Sequence, residues 1–227
     1  MVFAEHTTAP PEGRTDATMQ LDHLFRVEAG RGDARIVQFI SARNGEGTSS
    51  IARNFAMTAA SYHGLVVVMI DLGWDSNAQY RFFDADRDVT LRRLDLGGTS
   101  PTFLPLKNLA FYQVGQHSLF ISRYEAHEPP DRRIYFPATG AGFWSQLRNA
   151  ADLIVIDAPA QERNLDGVMV SPVADSVVLV VEAERTAAPE VMRPREKIER
   201  HGGHIEGVVL NRSRRRLPGF LKRWVGR

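Results

Sequence analysis

Residues 39–56, FISARNGEGTSSIARNFA, lead from an apolar segment through a glycine turn into a helical pattern. Phe39 and Ile40 belong to the run RIVQFIS (35–41), which is short, apolar and of strand length. TSSIARNFAMTAASYHG (48–64) carries Ile51, Phe55, Met57 and Ala59, and Gly64 supplies a helix stop. A strand that turns through glycines into a helix offers backbone N–H groups at the helix N-terminus, where phosphate oxygens bind. The phosphate-loop pattern is G-x-x-x-x-G-K-[ST]. It aligns here with Ala42, Arg43, Asn44, Gly45, Glu46, Gly47, Thr48 and Ser49. Ala42 stands at the first glycine and Thr48 at the lysine. In this reading the amides of Gly45 to Ser50 cradle phosphate, Ser49 ligates Mg²⁺ and Ser50 holds a phosphate oxygen. The same residues also allow a plain strand–glycine–helix turn, with Thr48 or Ser49 as the helix N-cap.

Working outward, further apolar runs follow. They are LVVVMID (65–71), LAFYQVG (109–115), DLIVIDAP (152–159), SVVLVVEA (176–183) and HIEGVVLN (204–211). Runs apolar on both faces are typical of strands covered by helices on both sides. Strands alternating with helical patterns predict an α/β fold: a doubly wound, mostly parallel sheet flanked by helices. Asp71 and Asp157 end two of these strands. In such sheets ligands lie beyond the carboxyl ends of the strands, so both carboxylates are expected on the same edge as the glycine loop. There they would hold Mg²⁺ or its water. The polar, Pro-rich segment 116–142 reads as loop with short helix and as a mobile surface segment. Pro194 is expected to kink the helical stretch 187–201.

The chain has 227 residues, a net charge of +1 and no cysteine. Disulfides, thiolate metal sites and cysteine nucleophiles are therefore excluded. Only three of its 28 basic residues are lysines (Lys107, Lys197 and Lys222), and none lies near the loop in sequence. The histidines show no metal-ligand spacing. The start lacks a basic region followed by an apolar core, so no secretory signal is expected. No run reaches the ~18 apolar residues of a membrane span, and a cytoplasmic protein is expected. The organisation reads as a disordered lead over 1–34, with a docking helix in MQLDHLFRVEA (19–29), a nucleotide-fold domain over 35–212, and a basic tail over 213–227. RSRRRLPGFLKRWVGR (212–227) interleaves basic residues with Leu217, Phe220, Leu221, Trp224 and Val225. Its composition suits an anionic membrane surface or an acidic partner tail, ahead of a solvated tail or nucleic acid.

The order SARNGEGTSSIARNFA, VVVMIDLGWDSNAQYRFF, ADLIVIDAPA, ADSVVLVVEAERT and IEGVVLNR resembles the cytoplasmic bacterial tyrosine kinases of capsular and exopolysaccharide synthesis. That family belongs to the ParA/MinD-like deviant P-loop ATPases, and the resemblance spans about residues 35–215. It implies that Gly45, Glu46, Gly47, Thr48, Ser49 and Ser50 hold the phosphates of ATP. It implies that Asp71 supports Mg²⁺ and activates the attacking hydroxyl, that Asp157 is the Walker B aspartate, and that Asn211 and Arg212 contact adenine. It further implies an inner-membrane, Wzz-like polysaccharide co-polymerase whose cytoplasmic tail is the partner, a location at the inner membrane, and homo-oligomerisation.

The chain also departs from that family. Thr48 replaces the lysine, Gly73 stands at the second aspartate of the Asp-x-Asp motif, and the tyrosine-rich C-terminal tail is absent. One charged hydrogen bond contributes roughly 1.5–3 kcal/mol, so losing the lysine weakens phosphate binding about 10- to 100-fold. Catalysis suffers more, because charge develops on the transferring phosphoryl group. Arg43 is a candidate substitute cation. The expected function is therefore a kinase-like regulator or scaffold of polysaccharide export with ATP binding weakened or lost. An active tyrosine kinase or ATPase and a ParA/MinD-like positioning ATPase are the alternatives.

Overall fold

The computed structural model describes Leu21 and residues 34–94, 109–125 and 137–212. The expected N-terminal lead, apart from Leu21, and the basic tail over 213–227 lie outside the described residues. Leu21 itself packs into the core.

The chain opens with β1 (Arg35–Ser41), α1 (Thr48–Tyr62), β2 (Val67–Asp71) and α2 (Ala78–Asp84). It continues through β3 (Leu91–Arg93), β4 (Leu109–Val114), β5 (Leu119–Tyr124), α3 (Pro137–Ala150) and β6 (Leu153–Asp157). The last elements are α4 (Asp166–Val170), a 3₁₀ turn (Ser171–Val173), β7 (Ser176–Glu182), α5 (Ala188–Arg200) and β8 (Ile205–Asn211). They form one eight-stranded sheet in the order β3-β4-β5-β2-β6-β1-β7-β8. From β5 to β8 all neighbours run parallel. The β3-β4-β5 edge is antiparallel.

Alternation along β1 sorts its side chains between two cores. Val37 and Phe39 join the layer containing Ile51 and Phe55 of α1 and Phe83 of α2. Ile36 and Ile40 join the layer containing Trp144 and Leu147 of α3, Val168 of α4 and Ile198 of α5. Period-two alternation in a fully apolar strand gives this two-sided burial. Phe39 and Phe55 meet with ring centroids 5.2 Å apart. The parallel, doubly wound architecture expected from the sequence is the one observed.

Three expectations change. The segment 116–142 contains a real strand, β5, and the start of the 14-residue helix α3. Ser122 and Arg123 interrupt the apolar pattern of β5, yet Ser122 is buried because its hydroxyl accepts from the Asp71 N–H at 2.9 Å. The strand 205–211 is not buried on both faces: β8 ends the sheet, and Val208 and Leu210 are exposed. The helix α5 runs unbroken from Ala188 to Arg200 through a buried Pro194.

Candidate phosphate loop and carboxylate pair

The short parallel strands bring the site together. β1, β2 and β6 are neighbours, and Asp71 and Asp157 are direct register partners at the ends of β2 and β6. The loop after β1 therefore opens beside both carboxylates. Gly45 and Gly47 take φ of +83° and +89°, a left-handed conformation that glycine adopts at little cost. Gly47 is the N-cap of α1 and no side chain caps it. The alternative of a Thr48 or Ser49 N-cap is thus corrected: both lie inside the first turn. Ile51 N–H closes that turn on the Gly47 carbonyl at 3.0 Å. Ser49 is half-buried and Ser50 exposed. The Thr48 side chain is buried, and its hydroxyl has no protein partner.

Glu46 fixes the loop. Its side chain is 1% exposed. One carboxylate oxygen accepts from the Arg43 N–H at 2.7 Å; the other accepts from the Glu182 N–H at 3.1 Å and from the Thr186 hydroxyl. The carboxylate is therefore spent on the frame, and Glu46 can face a phosphate only through its backbone. The Asn211 amide donates to the Glu46 carbonyl at 2.8 Å and fills the space beside Gly47, while its oxygen accepts from Arg212 N–H. Arg212 pairs with Glu182 at 3.1 Å. Asn211 thus joins the loop as a packing partner, with both ends of its amide engaged. Arg43, the candidate substitute cation, is turned to Glu190 of α5 at 3.4 Å. Asn44 N–H donates to Glu162 at 2.5 Å, tying the loop to the chain after β6.

The carboxylates are buried, at 3% exposure each. Asp71 accepts from Gly73 N–H at 2.7 Å and from Gln79 N–H at 3.1 Å. Asp157 accepts from the Gln79 side-chain amide at 2.5 Å and bonds the Ser49 side chain. Gln79, fully buried, also donates to the Ser49 carbonyl at 3.1 Å and accepts from Arg53 at 2.9 Å. The Arg53 guanidinium stacks 3.5 Å from the Phe82 ring centroid. Burial, with the neighbouring Asp157 charge, pushes Asp71 up to about 7. Burial also raises Asp157, against the pull of Gln79, Ser49 and Arg53. The sequence pointed to Asp71 and Asp157 but not to Gln79, Arg53, Ser122 or Thr186. Their types carry no motif, and only the packing of α1, α2, β5 and the loop before α5 brings them in.

No protein-family model matches the chain. The putative tyrosine-protein kinase CapB of Staphylococcus aureus is 24% identical over 172 residues, covering 76% of this chain and 72% of that protein. The chimerical protein CapA2B2 superposes with a TM-score of 0.61 at 21% identity, over 87% of this chain and 80% of that one. This chain is similar in sequence to a bacterial tyrosine kinase and shares the fold of the MinD-like proteins. The septum site-determining protein MinD from Pyrococcus horikoshii OT3, solved with Mg-ADP, gives a TM-score of 0.55 at 20% identity, over 85% of this chain and 77% of that one. In this chain the residue at the lysine position of the phosphate-loop pattern is Thr48.

Two outcomes are expected. Glu46→Ala leaves three half-buried donors without their acceptor and should lower unfolding stability by about 3 kcal/mol in a denaturant titration. The raised carboxyl of Asp71 stabilises the fold below its unfolded value near 4, and that stability is lost as pH rises towards about 7. The melting-temperature advantage of wild type over Asp71→Asn should therefore narrow between about pH 4 and pH 7.

Proposed function

We propose that the chain is a polysaccharide-synthesis module built on the tyrosine-kinase fold and acting mainly as a regulator or scaffold. Its partner would be the cytoplasmic tail of an inner-membrane chain-length protein, and 213–227 would add contact with an anionic surface. Homo-oligomerisation belongs to the same reading. The observation that carries it is the loop itself: the cradle is braced by Glu46, while the lysine position holds a buried threonine with an unpartnered hydroxyl.

The residues fit the phosphates of a nucleotide through the amides that open α1 and through the Thr48 hydroxyl. They fit a divalent cation in chemistry, since Ser49, Asp71 and Asp157 are hard oxygen donors of the kind Mg²⁺ takes. When bound, the ion would neutralise phosphate charge. The weakness lies in the cation supply. Thr48 offers no charge, and Arg43 is committed to Glu190. Without a positioned cation the loop can retain a nucleotide far better than it can transfer a phosphoryl group. Contact with a partner is then the function that remains. The active kinase or ATPase and the positioning ATPase stay as the readings to be excluded.

Calorimetric titration of the purified protein with Mg²⁺–ATP tests this. Wild type should bind weakly or not at all. Thr48→Lys should bind about 10- to 100-fold more tightly, and Asp157→Ala should lose whatever binding wild type has. ATP turnover or tyrosine phosphorylation by wild type, alone or with the membrane partner, would overturn the regulator reading.

A further inference from the structure

Gln79 has no role in the phosphate-loop logic, yet its side chain makes three hydrogen bonds within the site. Its two amide hydrogens go to Asp157 Oδ2 at 2.5 Å and to the Ser49 carbonyl at 3.1 Å. Its Oε1 accepts from Arg53 Nε at 2.9 Å. Its backbone N–H donates to Asp71 Oδ2 at 3.1 Å. Arg53 in turn is braced by the half-exposed Phe82 ring. Two adjacent buried carboxylates demand donors or a cation. Here an amide backed by a guanidinium meets that demand from within the chain.

We propose that Gln79 is a latch on the cation position: its side-chain amide, oriented by Arg53, holds the Asp157 oxygen that a divalent ion would take, and binding of the ion requires the side chain to leave. This rests on reading Ser49, Asp71 and Asp157 as the cation donors. An amide nitrogen with both hydrogens spent has no lone pair to offer a metal, so the ion and the latched amide are mutually exclusive. Release can stay local. Asn77 pins the start of α2 to β5 through Tyr124 N–H at 2.8 Å and the Tyr124 carbonyl at 3.1 Å. The Gln79 side chain can thus swing out while its backbone keeps its bond to Asp71. Occupancy of the site by a cation is thereby coupled to Arg53, and through Arg53 to the exposed Phe82 on α2. A partner covering Phe82 and pulling Arg53 aside would open the site.

Nucleotide-free titration with Mn²⁺, read by electron paramagnetic resonance, tests the latch apart from the phosphate loop. Gln79→Met keeps the length of the side chain and removes both donors. It should bind Mn²⁺ about 10- to 100-fold more tightly than wild type, the equivalent of one charged hydrogen bond. Asp157→Asn in the Gln79→Met background should abolish the gain. Phe82→Ala, a half-exposed position that tolerates truncation, serves if the buried substitution unfolds the protein. It should tighten Mn²⁺ about threefold by loosening Arg53. Folded Gln79→Met that binds no more tightly than wild type, or whose gain survives Asp157→Asn, overturns the latch. If Gln79→Met does not fold, unchanged affinity in Phe82→Ala does the same. The latch is read with Mn²⁺ alone and the loop with Mg²⁺–ATP, so a failed nucleotide reading and a failed latch give different results.

Discussion

Two carboxylates side by side at the ends of adjacent buried strands set the terms for everything around them. Asp71 and Asp157 face each other in register on β2 and β6, almost without solvent. In such surroundings the charged form is costly unless donors surround it, and each charge penalises the other. The donors come from five places: Gly73 and Gln79 backbone on the way into α2, the Gln79 side chain, Ser49 and, at longer range, Arg53. The path of the chain after β2, the position of α2 and the tilt of the Arg53 side chain all follow from the need to satisfy this pair.

The loop is the second half of the same design. Thr48 stands at the lysine position of the phosphate-loop pattern and brings no charge there. What holds the loop open is internal. Glu46 gathers Arg43, Glu182 and Thr186, and Asn211 closes on the other side. The loop is tied to β7 and β8 through side chains that no ligand has to supply.

Much of the fold was legible because parallel strands buried on both faces leave continuous apolar runs. β1, β2, β6 and β7 are of this kind, and the aspartates that end β2 and β6 marked the site edge. β8 showed the limit of that signal, since an edge strand can read as apolar while Val208 and Leu210 remain exposed. β5 was hidden because Ser122 is buried for its hydrogen bond to the Asp71 backbone rather than for hydrophobicity. The site was half legible. The glycine loop and Asp71 and Asp157 announce themselves by type and spacing. Gln79, Arg53 and Thr186 do not, because their roles arise from tertiary contacts between segments distant in sequence. Glu46 was legible as a loop residue, but the direction of its carboxylate was not.

The loop and the carboxylate pair are held in shape by bonds from the chain itself. Residue-resolved amide hydrogen exchange on the ligand-free protein tests this most directly, read at Arg43, Gln79 and Glu182, whose N–H groups are donated to Glu46 and Asp71. These three amides should be protected close to the level of the central strands. Exchange at the rate of open loops would contradict it, and would mean that the loop and the carboxylate pair take their shape only when a ligand arrives.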